Sequence, residues 1–199
     1  MENIVKKYQQ RFRKVKEEMV KWEELQSCLV SQFVNASSII QRLQIIQDCK
    51  NYGVLRCIEG IQVAVLAKQM DSLDSILLSM SKTMEDFQAV VSTIEKIVHD
   101  SAQLSKGGSA HLTSKQMQQR VGLKPSVVDC LDGLNLIADM HRSEYKLKET
   151  VVSTLAELAL KPSACGDLVS LQRLLVDQPN ISMDEVQNLL EIIFAEEIC

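Results

Sequence analysis

Six cysteines and three histidines are the residues of this 199-residue chain best suited to metal ligation or nucleophilic chemistry. Their spacing supports neither. Cys28, Cys49, Cys57, Cys130, Cys165 and Cys199 contain no C-x-x-C pair, and the step from Cys49 to Cys57 fits no usual zinc or redox pattern. Cys28 and Cys130 fall in helical runs, where a reduced thiol behaves as a small hydrophobe; the reading is reduced thiols in the cytosol or nucleus. His99 and His141 fall in helices and His111 in a loop, without the E-x-x-H pair of a di-iron bundle. His141 has Asp139 and Glu144 nearby, so a ligand or base stands beside the simpler reading of a hydrogen-bonded His at a bundle edge. Gly107-Gly108 follows a helix and lacks the G-x-x-x-x-G-K pattern of a phosphate loop. The hydrolase, deaminase and kinase signatures do not occur. The expectation is a non-enzyme with no cofactor, no metal and no small-molecule substrate.

Three pairs fit the acidic kinase pattern S/T-x-x-D/E: Thr83 with Asp86, Ser92 with Glu95, and Ser182 with Glu185. The pattern is short, and a helical hydroxyl is often only exposed or capping. Ser182 reads better as an N-cap. Trp22 is either a core residue or an anchor for a partner.

The elements that position these residues are helices. From Tyr8 onward, Phe12, Val15, Met19, Trp22, Gln26, Leu29, Phe33, Ala36, Ile40 and Leu43 keep a 4-3 spacing, and only Gln26 is strongly polar. One such amide more often sets register than does chemistry. A second seam runs through Leu73, Leu77, Met80, Met84, Phe87, Val91, Ile94 and Val98. Two seams of this length bury each other, which favours a scaffold or adaptor over an enzyme.

The expected fold is all-α: an antiparallel bundle of three long helices with short C-terminal helices. The first helix spans 3–49 and stops at Asn51-Tyr52-Gly53, with Gly53 as a left-handed C-cap. A shorter helix spans 55–68, is weakened at Gly60, and either ends there or continues into a long one over 71–104. Residues 105–124 form a loop with one helical turn around 116–120. The third long helix begins at Pro125, where Ser126 and Asp129 form a capping box, and stops at Pro162. Its expected core face is Val127, Leu131, Leu134, Ile137, Tyr145, Val152, Leu155 and Leu158. Short helices follow over 165–176 and 182–197, the second capped by Ser182 with Glu185. The expected division is a bundle over 1–160 and a short helical tail over 161–199 packed on it.

Net charge is −4, which argues against direct nucleic-acid binding by the whole chain. The charge is uneven. Lys6, Lys7, Arg11, Arg13, Lys14 and Lys16 include no acid, whereas Asp177, Asp184, Glu185, Glu191, Glu196 and Glu197 end the chain without a base. These are either two solvated helix faces or two partner surfaces, the basic one suited to RNA or an acidic protein. The basic run leaves no apolar stretch for a signal peptide, and no run of eighteen apolar residues would span a membrane.

The segment 125–145 reads PSVVDCLDGLNLIADMHRSEY. Its frame, carried by Pro125, Ser126, Val127, Asp129, Leu131, Leu134, Ile137, Arg142 and Tyr145, resembles the AAA-ATPase-interacting ribosome maturation factor family, also described as a casein kinase substrate family. The chain length and the order of long and short helices are similar too. Gly133 departs from the bulky aromatic expected there. The resemblance implies a non-enzymatic adaptor that joins an AAA ATPase with companion adaptor subunits and acts indirectly on the pre-60S particle, in nucleus and cytoplasm. A role of that assembly at replication forks is also associated with the family. No catalytic residue carries over. The candidate partner contacts are Lys6, Lys7, Arg11, Arg13, Lys14, Lys16, Arg142 and Tyr145. The alternative is a homotypic coiled-coil tether or scaffold without a ribosomal role, with a bundle enzyme or ligand carrier third.

Overall fold

The computed structural model describes residues 2–106, 113–120, 125–158 and 165–195. Every regular element among them is helical: α1 (Glu2–Ile46), a 3-10 segment (Cys49–Cys57), α2 (Ile61–Lys106), α3 (Ser114–Gln118), α4 (Val127–Leu158), α5 (Cys165–Asp177) and α6 (Met183–Ile193). The fold is all-α. Neither α1 nor α2 contains a Gly or Pro, so nothing in either 45- or 46-residue run interrupts the helical hydrogen bonds.

The connection between α1 and α2 corrects the sequence expectation. α1 ends at Ile46 rather than near Cys49, because Asp48 takes extended backbone and its carboxylate accepts from the Lys50 N–H. That side-chain turn competes with the helix and starts the 3-10 segment. Gly53 is therefore not the C-cap of α1. It sits inside the 3-10 segment at φ 53° and ψ −126°, a conformation essentially restricted to glycine. Gly60, at φ 77°, does not weaken a helix already begun at residue 55. Its carbonyl accepts from the Ala64 N–H at 3.0 Å, so it stands at the N-cap of α2. From there α2 runs unbroken past residue 71.

The C-terminal elements lie close to expectation. The turn within the loop is α3, with a capping box between Thr113 and Gln116. α6 starts after Ser182, whose hydroxyl accepts from the Glu185 N–H at 3.3 Å, but ends at Ile193 rather than residue 197. The expected Gly107-Gly108 turn, His111, the Pro162 stop, Glu196, Glu197 and Cys199 lie outside the described residues.

The chain divides into two compact units. The first comprises Met1–Glu23, Phe87–Lys146 and Pro179–Cys199. In it the Tyr8 hydroxyl donates to the Ser101 carbonyl at 3.0 Å, and the Trp22 ring meets Phe87 edge-on at 4.5 Å. Rising numbers on α1 meet falling numbers on α2, so the two run antiparallel. The second unit comprises Glu24–Asp86 and Leu147–Gln178. There the Gln32 amide donates to the Ser79 and Thr83 hydroxyls at 2.9 and 3.1 Å, and Gln62 donates to the Gln47 carbonyl at 2.9 Å. The antiparallel order is the same.

The α1 seam is buried throughout except at Met19, which is half-buried, and the α2 seam except at Leu77 and Val98. The α4 face needs correction. Leu131, Tyr145 and Val152 are only half-buried. The side chains that are buried run Val127, Cys130, Leu134, Ile137, His141, Glu144, Lys148, Val151, Leu155 and Leu158, an unbroken 3-4 series. His141, Glu144 and Lys148 occupy three consecutive seam positions, and their polarity hides the series from an apolar count.

Candidate functional site

The residues able to do chemistry are dispersed. No group of three or more His, Cys, Asp or Glu among the described residues could hold a metal ion. Cys28, in a helical run as expected, is exposed, as are Cys49 and Cys57. Cys130 is fully buried, and burial, helped by the Asp129 carboxylate, pushes its thiol up to about 12. Thr83 is buried, donating to the Ser79 carbonyl and accepting from Gln32, so that kinase pattern is closed to an enzyme.

The polar seam residues hold helix ends. In the first unit, Gln9 is buried and its amide donates to the Ile193 carbonyl at 2.9 Å, satisfying an orphan acceptor of the last turn of α6. Glu144, also buried, accepts from both the backbone and side-chain N–H of Asn180 at 3.1 Å, fixing the chain just before α6. His141 is buried against the edge of Trp22 at 4.8 Å, with Nδ1 2.8 Å from the Ile137 carbonyl oxygen. This matches a hydrogen-bonded core histidine, and Trp22 is core. In the second unit, the Lys148 ammonium donates to Gln26 Oε1 at 2.7 Å, and the Gln26 amide donates to the Leu175 carbonyl at 2.6 Å, in the final turns of α5. Gln9 and Lys148 escaped the sequence reading, and Glu144 entered it only as a neighbour of His141. The seam interruption at Gln26 was the visible signal.

Gly133 explains its own departure from an aromatic. A Cβ there would lie 2.5 Å from Leu189 Cδ1, so the Leu189 side chain packs into the space that glycine leaves and would have to swing aside for any larger residue. The caps form as read. Ser126 Oγ accepts from the Asp129 N–H at 3.1 Å, and Asp129 accepts from the Ser126 N–H at 3.0 Å. Burial pushes the Asp129 carboxyl up, but the Ser126 bonds and Arg120 outweigh it and hold it below its ordinary value.

The six basic residues of α1 are not one surface. Helical spacing puts Lys7, Arg11 and Lys14 on one flank, where they line a shallow cleft with Gln10 and Leu104. None of these three has a side-chain hydrogen bond or ion pair with a described residue. On the other flank, Arg13 lies over the Phe194 ring at 5.8 Å, and Lys6 has a partner of its own. Lys16 borders an apolar groove of about 420 Å³ between α1 and α6, floored by His141 and Ile181. Arg142 binds Glu95 at 2.6 Å and Asp139, and Tyr145 is half-buried with a partner. Neither Arg142 nor Tyr145 is a bare contact residue.

One comparison with known proteins bears on this arrangement. The family model CA109-like, described as ribosome biogenesis protein C1orf109-like, matches residues 2–198. The chain belongs to this family. It is the family that segment 125–145 resembles, and the match takes in residues of both units. No curated protein sequence matches the chain. No helix among the described residues is long and apolar enough to cross a membrane.

Proposed function

We propose that this chain is a non-enzymatic helical adaptor subunit of an AAA ATPase assembly that acts in maturation of the large ribosomal subunit, in nucleus and cytoplasm. Membership of a ribosome biogenesis family supports the ribosomal part. The observation that carries the adaptor part is the division of labour among polar side chains. Gln9, Gln26 and Glu144 are buried and hold helix ends, Lys148 is buried against Gln26, and Lys7, Arg11 and Lys14 face outward with no partner among the described residues. An exposed basic flank on a rigid helix suits a salt-sensitive contact with an acidic partner or particle.

Affinity purification of the chain from cells tests this. It is expected to recover an AAA ATPase, companion subunits and precursors of the large ribosomal subunit, while the purified chain hydrolyses no ATP. Charge reversal at Lys7→Glu with Lys14→Glu is expected to reduce recovery without lowering the melting temperature. Recovery of the chain alone, unaffected by the reversal at low salt, would instead make it a homotypic tether.

A further inference from the structure

We infer that the groove between α1 and α6 is the docking site for one amphipathic helix of a partner protein, with an acidic residue toward one end of its apolar stripe and a basic residue one heptad away. The groove is about 420 Å³, and its lining is mostly apolar, with Met19 and Val20 from α1 and Met183 and Leu190 from α6. Val20 and Met183 are each 56 % exposed. Exposed aliphatic walls around a concave strip mark a helix-binding surface, and two methionines let the walls adapt to the incoming side chains.

The charges at its ends decide the occupant. The Gln9 bond to the Ile193 carbonyl puts the C-terminal end of α6 beside the start of α1, and the groove brings residues 183–190 of α6 to residues 16–23 of α1, so α6 runs antiparallel along α1. Lys16 therefore marks one end of the groove, and Asp184, on the side of Glu23, marks the other; Glu23 has a partner of its own, so Asp184 carries the acidic end. Lys16 and Glu23 are seven residues apart on α1, about 10 Å along its axis. A helix carrying a carboxylate near Lys16 and an ammonium or guanidinium near Asp184 complements both ends. One with a single sign of charge meets repulsion at one of them. The assignment does not depend on the ATPase reading, because Lys7 and Lys14 lie on the opposite flank of α1.

The full chain can be titrated with a synthetic helix of about three heptads whose Leu stripe is flanked by one Glu and one Lys a heptad apart. Trp22, the only tryptophan, reports binding by its fluorescence because its ring packs on His141 in the groove floor. The expected result is saturable binding, weakened about tenfold or more by Val20→Arg and by Met183→Arg. Both positions are exposed, so circular dichroism should remain unchanged. Lys14→Glu should bind as wild type, and peptides carrying two Lys or two Glu should bind more weakly than the mixed one. Equal binding to the Val20→Arg chain, or no preference among the three peptides, would overturn the assignment. So would a wild-type dimer in sedimentation that Val20→Arg converts to monomer, since the occupant would then be a second copy.

Discussion

Buried side chains in this protein are spent on structure, and three of them allow a direct test. Phe87 is fully buried against Trp22, so Phe87→Ala is expected to cost roughly 3–5 kcal/mol in chemical denaturation. A loss below about 1 kcal/mol would mean the ring is not part of the core. Gln26→Leu removes the acceptor from the Lys148 ammonium and the donor from the Leu175 carbonyl in one step. A cost of roughly 1–3 kcal/mol is expected from the two bonds lost, although leucine fills the volume. Cys130 gives a pH dependence. Its folded thiol is pushed from 9.0 to about 12, so in that interval the unfolded chain loses a proton that the folded chain keeps. Stability should therefore fall as pH rises from 9 toward 12, by at most about 1.4 kcal/mol per pH unit from this thiol. Cys130→Ser should flatten that slope. Thiol labelling of the folded chain near pH 8 should modify Cys28, Cys49 and Cys57 and spare Cys130.

Helix ends and helix contacts carry the next set of expectations. The Ser126–Asp129 box caps α4, and Ser126→Ala should lower stability by roughly 0.5–2 kcal/mol. If Ser126 were a contact or modification site instead, the melting temperature would hold and a partner would be lost. α6 has its own device. Gly133→Phe puts a ring where a Cβ alone would already meet the Leu189 side chain, so Leu189 must be displaced and the packing of α6 on α4 is expected to loosen. Hydrogen exchange should speed up across Met183–Ile193 while the seam of α1 stays protected. The capping serines were legible in the sequence because a cap is a local matter of one hydroxyl and one N–H three residues on. The path of residues 47–60 was not. Asn51-Tyr52-Gly53 reads as a stop and Gly60 as a weak point within a helix, and which of them ends or begins a helix depends on the Asp48 turn and the φ of each glycine.

At the level of the whole molecule, the charge reversal at Lys7 and Lys14 separates adaptor from tether, and the groove variants at Val20 and Met183 ask a different question of the other flank of α1. The all-α class, the length of α1 and two of the three seams were readable from the chain alone. An apolar residue at every third or fourth position is a local signal that survives any tertiary arrangement. The α4 seam was not readable, because His141, Glu144 and Lys148 stand at core positions. A buried charge is tolerated only where a distant partner meets it, here Asn180 for Glu144 and Gln26 for Lys148. The basic run shows the same limit. Its six cations are contiguous in sequence, but the approach of α6 engages Arg13 and borders the groove with Lys16, leaving Lys7, Arg11 and Lys14 on the open flank. Local spacing determined that this chain is helical, while packing between elements far apart in sequence decided which polar groups are buried and which stay exposed.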